Sequence, residues 1–122
     1  MRFTARQGRL NIQLRVFRQG RDLQLLCGGG ATHIGAVALA APAHGKVEAQ
    51  SHLAGLPGHK EDAIALHMAE AVAQALGCAV CVSAGIHYDN ITGEEIRQVV
   101  QMAHDLTQRC ISALKKDSSC LQ

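Results

Sequence analysis

The stretch Leu10-Asn-Ile-Gln-Leu-Arg-Val16 decides the fold. Leu10, Ile12, Leu14 and Val16 point one way and Asn11, Gln13 and Arg15 the other, the period of two that marks a half-exposed strand. Gln19-Gly20 then offers a hairpin turn, and Leu23, Leu25 and Cys27 alternate with Asp22 and Gln24 as a second strand. After Gly28-Gly29-Gly30, residues His33 to Ala41 are apolar on both faces, as a covered central strand would be. A turn at Pro42-Ala43-His44-Gly45 leads to a fourth alternating segment, Val47 to Leu53.

Past Leu56-Pro57-Gly58 the period changes. Ile64, Met68, Val72 and Ala75 form a helical stripe, with Gly77 as its stop. Cys78 to Ile86 reads as another strand apolar on both faces. Thr92-Gly-Glu-Glu95 is a capping box, with Thr92 as N-cap and Glu95 at N3. Ile96, Val99, Val100, Ala103, Leu106, Cys110 and Leu114 continue from it as a second amphipathic stripe. The expected order is β-β-β-β-α-β-α, an α+β domain. A mixed, mostly antiparallel sheet of five or six strands carries two helices on one face. One domain covers 1–114, and 115–122 reads as a frayed, flexible tail. Two helices can cover only one face of such a sheet well, so curvature, loops or a second copy of the chain must cover the rest, and a homodimer is the preferred answer.

The 122 residues fit one domain, large enough to bury roughly two thirds of its unfolded surface. Only 2% of residues are aromatic, too few to build a stacking platform for single-stranded nucleic acid. A formal charge of +2 is too mild to argue for nucleic acid or a membrane surface. Arg2, Arg6, Arg9, Arg15, Arg18 and Arg21 are spread through strand-like segments, as on a solvated sheet face. No apolar run approaches the roughly 18 residues of a membrane span, and the N-terminus carries no apolar leader region. The five cysteines are an odd number. Cytoplasmic location with free thiols is expected.

Seven histidines stand out in this composition. His67 and His104 fall on the polar faces of the two helices, His44 in a turn and His52 on a polar strand face. For these four a solvated surface is the better reading. His33, His59 and His87 sit differently, each in a glycine-bearing loop at the end of an apolar segment. Imidazoles with Glu61, Asp62 or Asp89 suit a borderline transition metal such as Zn, Ni, Mn or Fe. The two helix starts and the triple glycine offer N–H groups to a phosphate or carboxylate, with Lys60 adding charge. His87 with Asp89 or Asp62 could serve as a general base, but no Ser or Cys motif makes a convincing nucleophile with it. Cys78-Ala-Val-Cys81 has CxxC spacing, yet residues i and i+3 of a strand face opposite ways, so core packing is preferred. Gly28-Gly29-Gly30 lacks the residues of a P-loop and reads as a wide turn or flap.

Three motifs carry a family likeness. Thr32-His-Ile-Gly-Ala-Val-Ala-Leu39, Gly58-His-Lys-Glu-Asp-Ala-Ile-Ala65 and Gly85-Ile-His-Tyr-Asp-Asn-Ile-Thr92 resemble the small D subunit of bacterial hydroxyarylic acid decarboxylase systems. The resemblance runs from about residue 10 to 114. It implies a prenylated-flavin chaperone with a fold similar to proteasome-assembly chaperones, and a homodimer. Such a protein would bind prenylated FMN and store it, mature it or deliver it to the large UbiD-type decarboxylase, without decarboxylating anything itself. With that ligand in view, His33, Gly58, Lys60, Tyr88, Asp89 and Asn90 are the expected cofactor contacts, Tyr88 being the one ring that could stack on the isoalloxazine. His59, Glu61 and His87 are the expected ligands of a divalent transition metal. A small metal-dependent enzyme using a His/acid site, or a ligand-free assembly module, are the rival readings.

Overall fold

A computed structural model describes residues 1–58 and 61–120, with side chains described as far as 117. The chain runs β1 (Arg2–Gln7), β2 (Leu10–Gln19), β3 (Asp22–Gly30), β4 (Ala36–Ala41), β5 (Gln50–Gly55), α1 (Asp62–Leu76), β6 (Val80–His87) and α2 (Gly93–Cys120). The six strands form one sheet in the order β1-β2-β3-β6-β4-β5. Only the β3–β6 pair is parallel; β1–β2, β2–β3, β4–β5 and β4–β6 are antiparallel. The α+β architecture with a mixed sheet and two helices is as the patterning predicts.

The alternation in β2 sorts its residues as expected: Leu10, Ile12, Leu14 and Val16 are buried. They join Leu25 of β3, Val80 and Val82 of β6, Met68 and Val72 of α1 and Leu106 of α2 in one core. Each such burial contributes about 1.5–3 kcal/mol before chain entropy is set against it. α1 ends at Gly77, whose N–H donates to the Ala73 carbonyl at 2.9 Å. The Thr92 capping box is formed in both directions: the Glu95 N–H donates to Thr92 Oγ1 at 3.0 Å and the Thr92 N–H to Glu95 Oε1 at 3.1 Å.

Several boundaries differ from the expectation. The periodicity misses β1, an edge strand on β2 in which only Phe3 and Ala5 are apolar and pack against the core. The strand expected from His33 begins only at Ala36, and the one expected over Val47 to Leu53 is displaced to Gln50–Gly55. The triple glycine is neither turn nor flap. It is the last part of β3, paired in register with Gly85, Ile86 and His87. The segment expected as a tail is helical as far as Cys120.

Cys27, Cys78, Cys81 and Cys110 are free. Burial pushes the Cys27 thiol up to about 12 and that of Cys110 up to about 11, so both behave as small apolar core groups. Among the described residues no helix is long and apolar enough to cross a membrane.

The sheet face away from the helices is uncovered. Across the strands, Phe17, Gln24, Cys81, Leu39 and His52 form one row, and Arg15, Leu26, Ser83, Val37 and Ala54 the next. Phe17, Leu26 and Leu39 are 44%, 41% and 47% exposed, and the Arg15 guanidinium sits over the Phe17 ring.

Candidate functional site

The parallel β3–β6 pair brings two strand ends to the same edge of the sheet, and both helices start there. A cleft of about 280 Å³ opens at that edge, lined by His33, Gly58, Glu61, His87 and Tyr88 on its polar side and by Ile64, Ile86, Ile91, Ile96, Val99 and Val100 on its apolar side. Five positions singled out in the sequence therefore meet in one place. Asp89 and Asn90 lie outside the lining, in the loop from β6 to α2, where Asn90 has a positive φ of 54°. His59 and Lys60 lie outside the described residues.

Glycines make the convergence sterically feasible. A Cβ on Gly85 would collide with the backbone of His33, and one on Gly30 with the His87 carbonyl. The peptide of His33 thus lies directly over Gly85, which explains why the chain at His33 crosses β6 before β4 begins. Thr32 packs on Gly28 and Ile12 on Gly29 in the same way. The triple glycine is a floor on which neighbouring groups rest.

Glu61 is the anchor of the polar side. It is the N-cap residue of α1 but makes no side-chain cap bond. Its carboxylate turns toward β6 instead. Oε1 accepts the Ile86 N–H at 3.1 Å and stands 3.3 Å from His33 Nε2. The residue is 6% exposed, and Oε2 is buried without a hydrogen-bond partner against Gly35. His33 Nδ1 is 3.0 Å from the Ala31 carbonyl. A carbonyl can only accept, so Nδ1 carries the hydrogen. His33 Nε2 is thereby left facing Glu61 Oε1. Asp62, one residue on, has its own buried oxygen without a partner, packed on Gly55. The start of α1 therefore holds two acids beside the N–H groups that could meet a phosphate or carboxylate.

His87 and Tyr88 frame the other side. His87 Nε2 donates to Asp89 Oδ1 at 3.1 Å, both side chains being largely exposed. That bond leaves Nδ1 as the ring's free acceptor in the neutral form. The Tyr88 hydroxyl accepts the Asn11 N–H at 2.7 Å and donates to the Asn11 carbonyl at 3.1 Å, so its ring is fixed against β2. The Arg9 guanidinium lies 5.6 Å from the Tyr88 ring centroid. It also donates to both oxygens of Glu95, at 2.8 and 3.0 Å, and to the Asp89 carbonyl at 2.9 Å. That bidentate clamp, with the Thr92 N–H, holds the Glu95 carboxyl down at about 2. Arg9 and Asn11 were missed in the sequence because their partners lie about eighty positions away, with no local spacing to betray them.

Among the described residues no three metal-ligating side chains converge. Of the expected metal ligands, Glu61 is engaged with Ile86 and His33, and His87 with Asp89. The arrangement offers a polar, proton-bearing side facing an apolar wall, a setting for a flat, amphipathic ligand.

Residues 6–115 match the family model of the prenylated flavin chaperone LpdD-like domain. The chain belongs to that family. The match spans nearly the whole chain, β1 to α2, and so includes every residue of the cleft. A search of curated proteins gives no match. The LpdD-like domain is a cofactor chaperone and not a catalyst of its own, so the rival reading as a metal-dependent enzyme is set aside.

Proposed function

We propose that the cleft holds prenylated FMN and that the protein stores it, matures it or hands it to the large subunit of a UbiD-type hydroxyarylic acid decarboxylase. The observation that carries this reading is the cleft itself: the His33–Glu61 pair and His87 face a wall of Ile64, Ile86, Ile96 and Val100. A flavin needs both, hydrogen-bonding groups for its dione edge and an apolar surface for its ring system. His33, Gly58, His87 and Tyr88 are the assigned contacts, with Asp89 orienting His87 and Asn90 in the loop beside it; Lys60, outside the described residues, is assigned on its charge alone. A divalent transition metal on His59, Glu61 and His87 rests on residue chemistry alone. The cleft is open on one side, which suits a carrier that must also release its cargo.

Expression beside a flavin prenyltransferase tests the reading. Prenylated FMN is expected to copurify, visible in the absorption spectrum and in native mass spectra. A clean apoprotein that also ignores added cofactor would sink it.

The uncovered sheet face supports a homodimer. Leu26, Leu39, Val37 and Phe17 form an apolar patch that a second copy can bury. Sedimentation of the full chain is expected to give a dimer, and Leu39→Asp a monomer. A wild-type chain that sediments as a monomer at micromolar concentration removes this assignment.

A further inference from the structure

His67 of α1 and His104 of α2, which look like ordinary surface histidines in the sequence, face each other across the helix pair. Their ring centroids are 4.2 Å apart and the rings are tilted by 55°. They end a cleft of about 250 Å³ between the two helices. That cleft meets the strand-end cleft at Ala63, Ile64 and Val100, which line both. The two clefts are thus neighbours across Ala63, Ile64 and Val100, with the His33–Glu61 pair in one and the two imidazoles in the other.

We propose that the cleft between the helices takes the ribityl phosphate of the bound flavin, and that His67 and His104 together receive its phosphate. The inference rests on the reading of the strand-end cleft as the flavin site.

Three observations carry it. First, both helix starts at the strand-end cleft are taken by the chain's own acids. Glu61 and Asp62 stand at α1, and Glu94 and Glu95 occupy the first turn of α2. A phosphate placed there would meet carboxylates. The guanidinium of Arg9 is already spent on Glu95. Second, among the described residues no acid lines the cleft that holds the imidazole pair. Glu70 of α1 is bonded to Ser51 at 2.7 Å and Asp105 of α2 to Gln101 at 3.1 Å. The walls at this end are Ala63, Ile64, Val100, Ala103 and Thr107, and the Thr107 hydroxyl donates to the Ala103 carbonyl. Two imidazoles from separate helices therefore meet at this cleft, and an imidazole N–H can donate to a phosphate oxygen. Third, the reach is right. His67 lies three residues beyond Ile64, about 4.5 Å along the helix, well within a five-carbon chain and its phosphate. The strand-end cleft alone, at about 280 Å³, lies at the lower edge of the roughly 300–1,000 Å³ typical of whole-ligand sites.

The test compares prenylated FMN with the same cofactor after phosphatase treatment, titrated into the full chain. The wild type is expected to bind the phosphorylated form at least tenfold more tightly. His67→Ala, His104→Ala and the double variant should lose most of that preference and leave the dephosphorylated form unaffected. His67→Gln, which keeps an N–H donor, should retain part of it. Circular dichroism of each variant checks the fold. A double variant with the full phosphate preference overturns the proposal while leaving the flavin site standing. A wild type that binds neither form removes the flavin site, and this inference with it.

Discussion

Gly85→Ala is expected to destabilise the protein by about 3 kcal/mol or more and to abolish cofactor retention. The new Cβ would meet backbone atoms of His33, and backbone cannot swing aside as a side-chain tip can. Either β6 leaves its place between β3 and β4, or the His33 segment lifts away from Glu61. The first loses the central strand and the second dismantles the polar side of the cleft. Overpacking of this kind commonly costs 1–3 kcal/mol where side chains can adjust, and more where they cannot. Gly93→Ala is the control: a Cβ there meets nothing within 4 Å, and alanine favours a helix. Urea unfolding of the two variants beside wild type measures the difference. A Gly85→Ala protein as stable as Gly93→Ala would contradict the close crossing.

Glu61→Ala has the second largest expected effect. It leaves the Ile86 N–H without its acceptor in a half-buried position, a loss of about 1–3 kcal/mol. It also removes the carboxylate that faces His33. Prenylated FMN affinity is expected to fall tenfold or more. Glu61→Gln separates the two roles. Its amide oxygen can still accept from Ile86, so most of the stability should return. The negative charge that faces His33 is lost, however, because an amide is neutral. Affinity should therefore recover less than stability. Equal recovery of both would show that Glu61 acts only as a structural strut.

The sequence made the central alternation, the two helices and the Thr92 capping box legible because each depends on neighbours in the chain. Leu10 to Val16 declares its buried face in seven residues, and Thr92 and Glu95 satisfy each other's N–H groups within one turn. β1 was not legible, since its apolar face is only Phe3 and Ala5, too short an alternation to declare a strand. The triple glycine was misread for a related reason. A glycine run looks flexible in isolation, and only the groups resting on it reveal why side chains are excluded. In the candidate site, His33, Gly58, Glu61, His87 and Tyr88 were singled out by their loops, and the structure brings all five to one cleft. What they do there was less accessible. The spacing gave no hint that Glu61 bonds to Ile86 or that Tyr88 is fixed by Asn11, because those pairings are made by the sheet and not by the local chain. His67 and His104 were passed over as surface residues because each was judged on its own helix.

The position of β6 also has a consequence for the order in which the molecule can be assembled. β1-β2-β3 and β4-β5 are two antiparallel units made early in the chain, and neither pairs with the other. The strand that joins them is synthesised only after α1. Until residues 80–87 leave the ribosome, β3 and β4 each present a bare, apolar edge, the exposure that invites wrong partners. The sheet therefore closes late and through distant contacts, and a chain of this topology is expected to fold more slowly than its length suggests. A member of a chaperone family thus passes through an unguarded interval of its own.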